Sequence, residues 1–146
     1  MNIDFYLPNH SFSGIRIATL KGGMLAVMLT SMMILASCAS RELKKVRQMP
    51  IYDVDLSNIP DGSYQGDFTY GKHTYVVGTT VKDHRITGID ILSNRNTKHA
   101  KKAEGVIPRM LEKQTPNVDA VTGATTTSKA LQKATENSLQ SGLKRE

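Results

Sequence analysis

Tyr64-Gln65-Gly66-Asp67-Phe68-Thr69-Tyr70, carried across Gly71-Lys72 towards Tyr75-Val76-Val77-Gly78-Thr79-Thr80-Val81, is the stretch that decides the fold. In the first run Tyr64, Gly66, Phe68 and Tyr70 alternate with Gln65, Asp67 and Thr69, the period-two pattern of a strand with one face in a core. The second run is rich in β-branched side chains and puts Tyr75, Val77, Thr79 and Val81 on one face, Val76, Gly78 and Thr80 on the other. Gly71-Lys72 makes a turn between them, and Lys82-Asp83-His84 makes a second before Arg85 to Leu92, a third strand carrying Ile86, Ile89, Ile91 and Leu92. Three short strands with tight connections predict an antiparallel meander.

Downstream the apolar period lengthens. Ala103, Val106, Ile107, Met110 and Leu111 fall at i, i+3, i+4, i+7 and i+8, an amphipathic helix running to about Gln114. Pro108 lies inside that run, where it removes an N–H and crowds the turn before it, so the helix is either kinked or regular only from near Ile107. Thr115-Pro116-Asn117 breaks the chain, and Val118 to Val121 is expected to add a short strand. A last helix is expected from near Lys129, with Ala130, Leu131, Ala134, Ser138 and Leu139 along a narrow apolar face and Gly142 as its stop. The sum is an α+β domain, a small antiparallel sheet of three to four strands packed with two helices.

Between the expected fourth strand and the last helix stands Asp119-Ala120-Val121-Thr122-Gly123-Ala124-Thr125, continued by Thr126, Thr127 and Ser128. Hydroxyl side chains at a helix start satisfy backbone N–H groups that have no intrahelical acceptor. The same helix end is electropositive and accommodates phosphate. From the residues alone, a plain N-cap and a phosphate-binding turn both remain open.

Composition narrows the function classes. The chain has 146 residues, room for one ordinary domain, and a net charge of +6. That excess suits nucleic acid, an anionic membrane or an anionic ligand, but the basic residues are scattered and aromatic residues make up only 5%, which argues against a base-stacking platform and so against nucleic acid. With a single cysteine, Cys38, no disulfide framework or paired-cysteine metal or redox site forms within one chain, and His10, His73, His84 and His99 are too far apart for a local metal-binding pair. No glycine-flanked nucleophile or carboxylate cluster marks a catalytic set, so no catalytic residue and no metal site is assigned.

The N-terminal part has its own logic. Residues 22 to 37 carry no charge and include Met24, Leu25, Val27, Met28, Leu29, Met32, Met33, Ile34 and Leu35, a run short for a membrane-spanning helix and of the length of a secretory signal core. It ends in Leu35-Ala36-Ser37-Cys38, which resembles a bacterial lipobox; the resemblance implies cleavage after Ser37 and lipidation of Cys38 outside the cytoplasm. The alternative is an uncleaved anchor with an incidental cysteine. Residues 1–37 are thus read as a lipoprotein signal peptide and residues 38–59 as the lipidated N-terminus and an irregular tether. Arg41, Lys44, Lys45 and Arg47 in that tether suit anionic headgroups or plain solvent. The ordered domain is expected over 60–146.

Asp119 to Thr125 resembles the flavinylation motif of the FMN-binding domain family, whose pattern is Asp, two residues, Ser or Thr, then Gly-Ala-Thr. The likeness extends to Asp61-Gly62-Ser63-Tyr64-Gln65-Gly66, to Val81-Lys82-Asp83 with Ile86, and to Thr127-Ser128 after the motif, and covers about Val54 to Leu139. It departs at Thr97-Lys98-His99-Ala100-Lys101, where many relatives are glycine-rich. The resemblance implies covalent FMN, joined by a phosphoester to Thr125 by an FAD-dependent flavin transferase; Asp119, Thr122, Gly123, Ala124, Thr126 and Ser128 are the further candidate cofactor-binding residues, with Thr122, Thr126 and Ser128 offering hydroxyl donors. Gly123 and Ala124 leave the backbone uncrowded, and Asp119 is expected to accept N–H bonds or to contact the transferase. Lys98, Lys101 and Lys102 are candidates to face the flavin, or a solvated surface, and Tyr64 is a candidate to stack on its ring, or a core tyrosine. The implied role is a lipid-anchored carrier passing electrons from a membrane donor to an external or periplasmic acceptor. The rival readings are a non-covalent FMN or phosphate-ligand module and a structural lipoprotein.

Overall fold

The computed structural model describes residues 41–144. Its centre is a three-stranded antiparallel meander of β1 (Gly62–Tyr70), β2 (His73–Lys82) and β3 (Arg85–Ser93), in the order β1-β2-β3. The expected alternation holds: Tyr64, Gly66, Tyr70, Tyr75, Val77, Thr79 and Val81 are buried, and their neighbours along the strands are exposed or half-buried. Asp83 and His84 both have positive φ, 50° and 57°, as a two-residue hairpin turn that follows strand twist demands. In β3 the buried residues Ile86 and Ile89 are three apart, which a regular strand would send to opposite faces. A register shift resolves this, since Val81 pairs with Ile86 but Thr80 pairs with Gly88, leaving Thr87 as the extra residue of a bulge.

The predicted first helix forms as two, α2 (Lys98–Ala103) and α3 (Val106–Lys113). Thr97 caps α2, its Oγ1 accepting from Ala100 N at 3.1 Å. The break at Glu104 and Gly105 settles the Pro108 difficulty, because Pro108 becomes the third residue of α3, where an N–H would have no intrahelical acceptor. At its other end Gln114 turns left-handed (φ 57°), and its side-chain amide donates to Ile86 O at 3.1 Å and accepts from Ile86 N at 2.8 Å, tying α3 to the edge of β3.

Three expectations are corrected. Residues 117–121 form no strand. Val118 and Val121 are buried as a strand would bury them, but side chains take the backbone polar groups: Gln132 Nε2 donates to Val118 O at 2.6 Å, Arg109 Nη1 to Asp119 O at 3.0 Å, and Val121 N donates to Ser128 Oγ at 3.2 Å. The last helix, α4 (Thr125–Leu143), begins at Thr125 and not near Lys129, so the threonines lie within its first turn. The segment read as an irregular tether is partly built into the domain. Residues 41–48 are helical (α1), and Val46, Ile51 and Ile59 are buried. Glu42 Oε1 accepts from Gly71 N at 2.9 Å and Glu136 Oε2 from Tyr52 N at 3.3 Å, which ties this segment to the first hairpin and to α4.

Helix α4 lies across the inner face of the sheet. Ala130, Leu131, Ala134 and Leu139 are fully buried on it, facing a core that includes Tyr75, Val77, Val106 and Met110; each such side chain contributes about 1.5–3 kcal/mol of transfer free energy for the larger residues. The closest approach is at Gly66, where an added Cβ would stand 2.7 Å from Ser138 Cα and nearer still to Ser138 N and Ala134 O. A buried polar contact runs beside it. Ser138 Oγ donates its one proton to Thr135 O at 2.7 Å, so in the 2.6 Å contact with Thr79 it is Thr79 Oγ1 that donates. Gly66→Ala sets a methyl against helix backbone that cannot rotate away, with an expected loss of about 3 kcal/mol, seen as a lowered unfolding midpoint in urea. A loss under about 1 kcal/mol would contradict this packing.

Candidate functional site

The site is built where the chain leaves its irregular stretch and enters α4. Ala124 N donates to Val121 O at 2.9 Å, closing a four-residue turn whose third residue, Gly123, has φ +79°. That conformation is costly for any residue with a side chain, which gives the glycine of the motif a backbone reason. Ser128, fully buried one turn into α4, accepts from Val121 N and pins the start of the turn. Ala124 is the N-cap residue and no side chain caps the helix, so the hydroxyls do not play the capping part that their position suggested.

A cavity of about 450 Å³ opens at this helix end, within the range of roughly 300–1,000 Å³ for small-molecule sites. Gly123, Ala124, Thr125, Thr126 and Thr127 form one wall; Tyr70 at the end of β1, Arg95 after β3 and His99 on α2 form a second; Leu43 and Arg47 of α1 form a third. Arg47 Nε donates to Thr126 Oγ1 at 3.0 Å, and Arg95 Nη1 lies 3.5 Å from the Tyr70 hydroxyl. Neither arginine forms an ion pair among the described residues. Lys102 brings a further cation to the turn, its Nζ 3.4 Å from where a Cβ on Gly123 would be.

Behind the arginines, the rings of Tyr70 and Tyr75 stack with centroids 5.7 Å apart and planes within 5°. The Tyr75 hydroxyl donates to that of Tyr70 at 3.4 Å. Burial, seconded by this hydrogen bond, pushes the Tyr75 phenol up to about 12, so it stays protonated wherever the protein is folded near neutral pH.

Thr125, Gly123, Ala124 and Thr126 of the motif therefore meet in one cavity, whereas Thr122 is exposed beside it and Ser128 is buried behind it. Of the two parts expected of Asp119, the acceptance of N–H bonds is not seen: its side chain is exposed and accepts none among the described residues, while its carbonyl oxygen takes the Arg109 bond. Tyr64 is no ring-stacking residue for this site. Its hydroxyl donates to Pro60 O at 2.6 Å and its ring lies against Gly142, about 25 Å along α4 from Thr125 at 1.5 Å per residue. The aromatic side chain in the cavity is Tyr70. Cys38 lies outside the described residues.

Residues 70–140 match the family model of the FMN-binding domain. Over that segment the chain belongs to the FMN-binding domain family. A search of curated proteins gave no match. The matched segment of this FMN-binding protein runs from Tyr70 through β2, β3, α2 and α3 into α4, and so holds the turn, Arg95 and His99; α1 and most of β1 precede it.

The donor set fits FMN. Two guanidiniums without carboxylate partners among the described residues, a lysine and the electropositive start of α4 suit its phosphate, while Leu43 and Tyr70 offer apolar and aromatic surface to its ring system. Of these groups the sequence pointed to the motif and to Lys102 but missed Arg47, Tyr70, Arg95 and His99 as site residues. Tyr70 carried a signal, as an inward position at the end of a strand; Arg47 carried none, being 79 positions from Thr126.

The high Tyr75 pKa has a consequence for stability. A phenol held at about 12 when folded and near 10 when unfolded binds its proton more tightly in the folded state. The contribution is complete below about pH 10 and is lost as pH rises through about 12. Folding stability is expected to fall across that interval, and in Tyr75→Phe the fall should be shallower; equal slopes for the two proteins in alkaline denaturant titrations would contradict it.

Proposed function

We propose that this protein is a lipid-anchored, extracytoplasmic electron carrier whose FMN is joined by a phosphoester to Thr125. The observation that carries the reading is the position of Thr125: it is the first residue of α4, half-buried, in the wall of a cavity that also holds two arginines without carboxylate partners among the described residues.

A threonine hydroxyl is a weak nucleophile, and among the described residues nothing titratable is in hydrogen-bond contact with Thr125 to activate it. The base belongs to an FAD-dependent flavin transferase, and this chain is the substrate. The Thr125 oxygen attacks the flavin-side phosphorus of FAD, the pyrophosphate bond breaks, AMP leaves, and the hydroxyl proton passes to the transferase base. The product is a phosphodiester with one negative charge where the threonine had none. Arg95 and the first turn of α4 stabilise that charge, and the Gly123 turn, with no side chain of its own, leaves room for the transferase to approach.

When bound, FMN supplies one- and two-electron redox chemistry. The chain's part is to hold it, to shelter one side of its ring with Tyr70 and Leu43, and to carry it at a membrane. The Leu35-Ala36-Ser37-Cys38 sequence supports that placing, with Cys38 as the lipid attachment and the cell membrane's outer face as the location. A covalent link suits a carrier exposed to a large volume, where a dissociated cofactor is not recovered. Partners on this reading are the transferase, a membrane electron donor and an external or periplasmic acceptor.

Co-expression with a flavin transferase is expected to give a polypeptide that fluoresces in a denaturing gel and is heavier by one phosphoester-linked FMN, and Thr125→Val should remove both signals. A Thr125→Val protein that keeps covalent flavin would overturn the assignment. A wild-type protein that binds flavin only until it is denatured would favour the non-covalent alternative.

A further inference from the structure

The two arginines of the cavity come from different parts of the chain. Arg95 lies inside the segment that matches the family, whereas Arg47 lies before it, on α1. Nothing in residues 70–140 dictates that an α1 side chain should reach the first turn of α4, yet three contacts hold it there. Val46 is buried against the core at 5% exposure. Glu42 Oε1 accepts from Gly71 N at the tip of the first hairpin, and Arg47 Nε donates to Thr126 Oγ1.

The Arg47–Thr126 bond is an unusual use of an arginine. One of its five N–H donors is spent on a neutral hydroxyl, and neither terminal nitrogen has a hydrogen-bond partner or a carboxylate among the described residues. The carboxylate on the same helix, Glu42, accepts from Gly71 N at the hairpin instead. The guanidinium is thus oriented by its Nε one residue from Thr125, with a planar fork of donors left over, the geometry that binds two oxygens of a phosphate at once.

We propose that Arg47 is a phosphate-binding residue of the FMN site, supplied by α1 from outside the family core, and that α1 forms a wall of that site. The proposal rests on the reading that the FMN phosphate lies at the first turn of α4, but not on the bond to Thr125 being covalent. It makes the segment next to Cys38 part of the cofactor site as well as a connection to the membrane. Leu43, one turn before Arg47, places an apolar side chain on the same wall.

The test uses the full chain produced without a transferase, titrated with FMN and, separately, with riboflavin, which lacks the phosphate; quenching of flavin fluorescence reads both affinities. R47Q is expected to weaken FMN binding about tenfold, the scale of a charged hydrogen bond, and to leave riboflavin binding unchanged. R47K, which keeps the charge but loses the fork, should regain part of the loss. Arg47 is exposed, so both variants are expected to unfold at the wild-type temperature, a check made on the same samples. The proposal is overturned by an R47Q affinity for FMN within twofold of wild type, by equal losses for FMN and riboflavin, by no recovery in R47K, or by a wild-type chain that does not bind FMN. Covalent flavin is scored apart, on denaturing gels after co-expression. Flavin attached at Thr125 with no effect of R47Q sinks this inference alone; dependence on Arg47 with no covalent flavin sinks the attachment alone.

Discussion

Helix α4 and strand β1 touch backbone to backbone at Gly66, and much of the molecule follows from that contact. A helix held this close cannot shift along the sheet without driving the Ser138 backbone into the strand, and Thr79 locks the same point through its bond to Ser138. Leu131 and Leu139 then fall on the core side and Thr125 at the edge, so the first turn of α4 opens beside Tyr70 and Arg95. The cavity is therefore placed by packing more than a turn and a half of helix away from any residue that lines it.

Charge gives the cavity its character. Arg47, Arg95 and Lys102 gather around a helix start that is itself electropositive, and no carboxylate pairs with either arginine among the described residues. Like charges brought together without a counter-ion cost stability, so their convergence is intelligible as a site for an anion that arrives from outside the chain. FMN binding by this family supplies one, and the proposed phosphodiester at Thr125 would leave it in place permanently. The stacked Tyr70 and Tyr75 form a rigid floor beside Arg95, and burial raises the pKa of Tyr75.

The sheet was legible in the sequence because its signals are local. Alternation over 64–70 and 75–81 needs only neighbours, and the turn at Asp83-His84 announces itself by residue type. The motif was legible for the same reason, as seven consecutive residues. What escaped depended on distant partners. Residues 117–121 have strand-like burial, but whether they pair with a strand or with the side chains of Arg109, Gln132 and Ser128 is decided by where α3 and α4 come to rest. Threonines 125–127 suit caps as well as a first turn by residue type, and it is Ser128, fixed on the backbone of Val121, that draws them into the helix four residues before Lys129. The α1 segment was hidden behind a basic, proline-flanked composition whose only core residue in the helix is Val46, and a single buried valine in eight residues has no periodicity to read.

Modification at one defined oxygen is the centre of this account. Peptide mapping by tandem mass spectrometry of the protein taken from its native membrane tests it most directly. The account predicts a flavin-bearing peptide spanning Val121 to Lys129 whose fragments place the phosphoester on Thr125. FMN on Thr122, Thr126 or Thr127 instead, or a peptide recovered only without flavin, would contradict it.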